Sequence, residues 1–187
     1  MGLIIHKEEP LRTCPMCERG QLCYYIGMEK NYIATLREKF GHAPLLSVGC
    51  GCLIINEKGQ ILLEKRKDNG LYCLPGGAIE LGESVEEGLR REIKEETGII
   101  LPDVHFLMAF SGEKEKLIYP NGDIVYYVDF IYYAKVDSKI SPTIGDGEST
   151  LVAFFDKEKL PPKESFLRGN YEPIEKYFSG NLEPEVL

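Results

Sequence analysis

The chain has 187 residues, 43% of them hydrophobic, and a formal net charge of −8, which is long enough to bury one core with a small appendage. So acidic a chain cannot grip a nucleic-acid backbone through lysine and arginine alone, because that affinity comes from cations displacing counterions; nucleic acid is disfavoured as a partner, and handling phosphates requires a cation as intermediary. There is no apolar run of about eighteen residues, and the opening MGLIIHKEEP lacks the basic flank, long apolar stretch and small-residue cleavage site of a secretory signal, so a cytoplasmic protein away from membranes is expected, with a homodimer compatible.

Residues 1–43 read as an appendage. Cys14, Pro15, Met16 and Cys17, followed by Gly20, look like one knuckle of a zinc ribbon, but a structural zinc site needs four ligands and no second such pair follows. Cys23, His6 or His42 would have to complete it, so Zn²⁺ here stands against a metal-free remnant. The segment NYIATLREKFGH then spaces Ile33, Leu36 and Phe40 as on a short helix.

The main domain is expected over 44–180. LLSVGCGCLIIN and ILLEKR read as two strands joined by a turn at Lys58 and Gly59. Cys50, Cys52 and Cys73 lie in apolar surroundings and read as reduced, buried and structural. A short strand LYCLP runs into Gly76 and Gly77, where the missing side chains let backbone approach a metal or phosphate. Ser84 opens a helix as N-cap, with Glu87 completing a capping box and Gly98 stopping it. Beyond it, VHFLMAFSG, IVYYVDFIYYAKV and LVAFFD are strand-like, separated by the turns YPNGD and SPTIGDGES. An amphipathic segment over 171–178 closes the domain, and 181–187 read as a tail. The fold class is α/β in the α+β sense: a sandwich with a curved mixed sheet and the glutamate-rich helix on one side.

On that helix, steps of about 100° put Val85, Leu89 and Ile93 on one stripe facing the sheet, with Glu92, Glu95 and Glu96 beside it. Carboxylates at these spacings repel by a few tenths of a kcal/mol per pair unless something neutralises them. Hard oxygen donors of this kind suit Mg²⁺ or Mn²⁺, which keep several waters and bind substrate phosphates at the same time. A solvated acidic helix face is the plainer alternative.

Gly77, five residues, Glu83, seven residues, then Arg91, Glu92, Ile93, Lys94, Glu95, Glu96, Thr97, Gly98 and Ile99 resembles the signature box of the Nudix (MutT-like) hydrolase family at every defined position. The resemblance implies a Nudix-type α/β/α sandwich whose loop and helix hold divalent ions against a diphosphate. It makes Glu92, Glu95, Glu96 and the Gly76 carbonyl the metal ligands, with Glu83 and Arg91 bracing the loop. Glu148, in GDGES, lies where several such enzymes place a general base; a turn acid beside Asp146 is the alternative.

The implied activity is hydrolysis of a nucleoside diphosphate derivative, of the ADP-ribose, dinucleoside polyphosphate or nucleoside triphosphate type. Gly77, Arg66 and Tyr119 are candidate substrate contacts, Tyr119 through base stacking and Arg66, with Lys65, through phosphate charge. Tyr126, Tyr127, Tyr132 and Tyr133 read as strand filling, and His105 as packed or solvated. A non-catalytic nucleotide-sensing domain and an enzyme acting on RNA 5′ ends remain the rival functions.

Overall fold

A computed structural model describes residues 32–119, 121–145 and 147–187. Cys14, Cys17, Cys23 and His6, and with them most of the zinc reading, lie outside the described residues. The elements run in chain order as α1 (Tyr32–Phe40), β1 (Leu45–Asn56), β2 (Ile61–Arg66), β3 (Tyr72–Cys73), β4 (Gly76–Ala78), α2 (Val85–Thr97), β5 (His105–Phe110), β6 (Lys116–Ile118), β7 (Ile124–Val136), β8 (Ser149–Phe155), α3 (Glu172–Phe178) and β9 (Glu185–Val186).

The nine strands form one mixed sheet whose main path is β3-β2-β1-β7-β5-β9. Because successive side chains of a strand point to opposite faces, β1 and β2 sort their apolar residues into two cores. Leu53, Ile55, Ile61 and Leu63 join Leu107, Phe166 and Ile174 of α3 on one face. Cys50, Cys52, Ile54 and Leu62 join Leu89 and Ile93 of α2 on the other. This double burial makes the expected sandwich and explains why both strands read as continuous apolar runs rather than alternating ones.

The turn after β1 was expected to make a hairpin, yet β1 and β2 pair only at its tip, Ile55 with Ile61. From there β1 runs parallel to β7 along its whole length, Leu45 with Val125 through Asn56 with Val136, and its middle also pairs with β4, Gly49 with Ala78 through Gly51 with Gly76. β2 turns instead to β8 and β3. The strands diverge because each finds longer partners from distant sequence, and a cleft opens between them.

Two segments depart from expectation. The helix α1 buries no residue, and Phe40 is 61% exposed. It is tied down instead by polar contacts: Arg37 donates to the Ile124 carbonyl at 3.0 Å and pairs with Asp123 at 3.3 Å. His42 Nδ1 sits 2.7 Å from the same Asp123 carboxylate. At the other end, the tail contributes β9, which extends the sheet beside β5, helped by Lys176 and Glu185 at 2.9 Å.

The candidate active site

The glutamate helix is built as its sequence dictates. Ser84 accepts the Glu87 amide at 3.3 Å while Glu87 accepts the Ser84 amide at 2.8 Å, a cap whose loss costs about 1 kcal/mol. Gly98 takes the left-handed φ of 72° that ends the helix and returns its N–H to Lys94. Leu89 and Ile93 are fully buried, so truncating either to alanine would cost about 2–5 kcal/mol. That buried stripe fixes the rotation of α2 and turns Glu92, Glu95 and Glu96 toward a cavity of about 520 Å³.

Arg91 organises the near wall. It clamps Glu83 with Nε and Nη2 at 2.7 and 2.9 Å, gives Nη1 to Glu92 at 2.7 Å and to Glu95 at 3.3 Å, and reaches the Ala78 carbonyl at 3.0 Å. One guanidinium thus ties the loop, β4 and α2 together, a planar bidentate role that lysine cannot fill. The clamp holds the Glu83 carboxyl below the usual carboxylate range. Glu92 goes the other way: burial raises it, and the Arg91 bonds only partly oppose that.

Both glycines of the double pair are required by contact. A Cβ at residue 77 would sit 2.5–2.7 Å from the carboxyl atoms of Glu92, so a side chain there would displace the carboxylate. Gly76, at φ 149° and pressed against Cys50 and Gly51, donates its N–H to Glu96 Oε2 at 2.7 Å. The backbone therefore reaches the glutamates directly, as expected for a site that brings main chain up to a charged ligand.

The donor set of Glu92, Glu95, Glu96 and the Gly76 carbonyl fits a hard divalent cation by type, all being oxygen ligands. Desolvation and like-charge crowding at Glu92 are relieved by positive charge, which Arg91 supplies here. Among the described residues no three histidine, cysteine or acidic side chains converge closely enough to chelate an ion; Glu92 and Glu95 share the arginine instead.

The loop before β8 is docked on the same helix. Gly145 and Thr143 donate to the Glu96 and Thr97 carbonyls at 2.8 and 2.9 Å, satisfying the end of α2. A Cβ at Gly145 would strike the Glu95 carbonyl. The Lys67 amide holds the Glu148 carbonyl at 2.8 Å, and Glu148 lines the cavity with the three helix glutamates.

Arg66 also lines the cavity, with its guanidinium engaged by Asp68 at 2.9 Å. Lys65 lies over the Tyr72 ring, 5.4 Å from its centroid. Tyr119 reaches the far wall, its hydroxyl 2.7 Å from that of Tyr127. His105 stacks beside Tyr133 at 5.0 Å.

The far wall holds residues that sequence reasoning passed over, Asp129, Arg168 and Asn170, beside Tyr127, which was read as strand filling and lines the cavity. Asn170 is used structurally, accepting the Leu74 amide at 2.8 Å and donating to the Arg168 carbonyl at 3.0 Å. Arg168 pairs with the buried Glu115 at 3.5 Å. Asp129 did carry a signal, being the one charge within IVYYVDFIYYA, where an acid breaks an otherwise apolar strand. Arg168 and Asn170, in a loop without periodicity, carried none.

The family model described as NUDIX domain matches residues 45–177. An ADP-ribose pyrophosphatase of Methanocaldococcus jannaschii is 38% identical over 111 residues, covering 58% of this chain and 61% of that protein. A MutT-like protein of Streptomyces ambofaciens is 48% identical over 56 residues, 30% of this chain and 36% of that one. The chain thus spans less than two thirds of either curated relative. A MutT NUDIX hydrolase from Burkholderia pseudomallei, known from its crystal structure, superposes with a TM-score of 0.57 at 30% identity, over 70% of this chain and 96% of that one.

Proposed function

This chain belongs to the NUDIX domain family, and on that premise we propose that it is a Mg²⁺- or Mn²⁺-dependent pyrophosphohydrolase that cuts the diphosphate linkage of a nucleoside diphosphate derivative. ADP-ribose is the first substrate to try, because the relative from Methanocaldococcus jannaschii carries that activity in its name. The observation that carries the reading is the near wall itself: Glu92, Glu95, Glu96 and Glu148 face one cavity, braced by Arg91 on Glu83.

Glu92, Glu95, Glu96 and the Gly76 carbonyl would hold the metal, which when bound supplies charge stabilisation for phosphoryl oxygens and lowers the pKa of a ligating water. The protein's own contribution is orientation. Arg91 fixes the direction of Glu92 and Glu95 and the Gly76 amide that of Glu96, while Glu148, which lines the same cavity, would accept a proton from the attacking water. Among the described residues no serine or histidine lines this cavity, and its cysteines, Cys50 and Cys73, have thiols that burial pushes up, to about 12 for Cys50. They are poor nucleophiles, so water is the attacking group.

The test is turnover of a panel of nucleoside diphosphate derivatives with magnesium and with manganese in ¹⁸O-labelled water. Two phosphate-terminated products are expected, one with a single ¹⁸O on phosphorus. Label on a sugar carbon, or binding without turnover across the panel, would overturn the assignment, the latter in favour of a nucleotide sensor.

A further inference from the structure

On β7, in the wall of the same cavity, stands a carboxyl group that the hydrolytic chemistry leaves unused. Asp129 lies midway along β7, paired in register with Gly49 on β1 and with Phe110 on β5. A Cβ at residue 49 would clash with Asp129 Oδ1, so Gly49 leaves a seat for this carboxyl. The group lines the cavity and, among the described residues, accepts no hydrogen bond. Its charged neighbours are Glu115 and Arg168, already paired with each other at 3.5 Å. Burial first, then Glu115, pushes the Asp129 carboxyl up to about 6, with Arg168 opposing; near pH 7 it is still largely a carboxylate, able only to accept.

The phosphates go with the cation that the α2 glutamates would hold, and the Asp129 carboxylate, with no such cation of its own, repels them, so the part of the substrate that reaches Asp129 is not anionic and bears donors. The surfaces beside it, Phe110, Leu117, Ile131 and the ring of Tyr127, offer apolar cover to a flat heterocycle. A ribose hydroxyl is also a donor but has no such face to bury.

We propose that Asp129 is a specificity-determining residue whose carboxylate accepts a hydrogen bond from the exocyclic amino group of a purine base. The proposal rests on reading the cavity as a nucleotide site. Adenine and guanine carry that amino group at different ring positions, and purine riboside 5′-monophosphate carries none.

Dissociation constants for AMP, GMP and purine riboside 5′-monophosphate, measured by calorimetry on the full chain with magnesium, test it. Either AMP or GMP is expected to bind about 10- to 100-fold more tightly than the amino-free nucleotide, the usual range for a hydrogen bond to a charged partner; which one does so identifies the base. Asp129→Asn should reduce that ratio to roughly threefold or less. Gly49→Ala, which fills the seat of the carboxyl and leaves residue 129 intact, should do the same, with thermal melts checking that each variant is folded. Equal binding of all three nucleotides by the wild-type chain, or an undiminished ratio in folded Asp129→Asn, would overturn the proposal. Base discrimination without hydrolysis of any substrate breaks the hydrolase reading alone, and hydrolysis without base discrimination breaks this one alone.

Discussion

At its α2 end the cavity draws its groups, Glu148 excepted, from one continuous stretch, residues 76–98, whereas at its β7 side it draws them from β1, β5, β6, β7 and the loop over 167–170. The near wall centres on an ion-pair network in which Arg91 holds Glu83, Glu92 and Glu95, all within eight residues of it along the chain. The far wall is a set of side chains brought together by strand register and the loop over 167–170, and its polar groups are held in separate contacts, Tyr119 to Tyr127, Arg168 to Glu115 and Asn170 to the Leu74 amide and the Arg168 carbonyl. The difference implies a division of labour. A locally braced wall can hold charge in fixed geometry for the chemical step, while a wall assembled from several strands can change its lining without disturbing that chemistry.

That division is broken or sharpened by substitution, and the largest effect belongs to the near wall. Glu96→Gln keeps an acceptor for the Gly76 amide but removes a ligand charge, so kcat should fall by about a thousandfold or more with an unchanged thermal melt. Wild-type turnover at saturating metal would sink the assignment of the helix glutamates. Glu148→Gln should lower kcat by about a hundredfold, the scale for losing a positioned proton acceptor, while KM stays near its wild-type value; a loss confined to KM would move Glu148 from the chemical step to substrate positioning.

A smaller effect, on the order of tenfold in kcat, is expected from Glu83→Gln, since the bidentate clamp that aims Arg91 is weakened rather than lost. This variant also reports on stability. The Glu83 carboxyl is held below its ordinary value of 4.5 in the folded protein, so its contribution is full above that value and is lost as pH falls through the lower folded one. Urea titrations of metal-free protein should therefore show a wild-type advantage at neutral pH that shrinks in acid, and an advantage independent of pH would show that the clamp carries no charge-linked stability. The smallest effect is assigned to the far wall. Tyr127→Phe, which removes the partner of the Tyr119 hydroxyl, should raise KM by about two- to tenfold with little change in kcat; a drop in kcat without a change in KM would erase the proposed difference between the walls.

The same contrast explains what could be read in advance. The capping box at Ser84, the stop at Gly98, the stripe of Leu89 and Ile93 and the glutamates beside it are all consequences of helical spacing, and each appears where its spacing put it. The strand segments were equally legible, because β-branched and aromatic runs between turn residues depend on local chemistry. Pairing was not. A turn suggested that β1 and β2 form a hairpin, but β1 gains twelve residues of register with β7, a partner whose identity no local signal carries. The short strands β4 and β6 were missed for the same reason, being strands only by virtue of their neighbours.

By itself, then, the order of residues determined the helix, its caps, the direction of its glutamates and the family to which the chain belongs, since all of these rest on interactions between residues a few positions apart. Only the tertiary structure decided that Glu148 lines the same cavity as the α2 glutamates, that Asp129 faces it from β7 and that Gly49 leaves room for the Asp129 carboxyl. Those placements follow from strand register and loop docking across 80 residues or so of sequence, where contact depends on which distant segments bury one another's apolar faces.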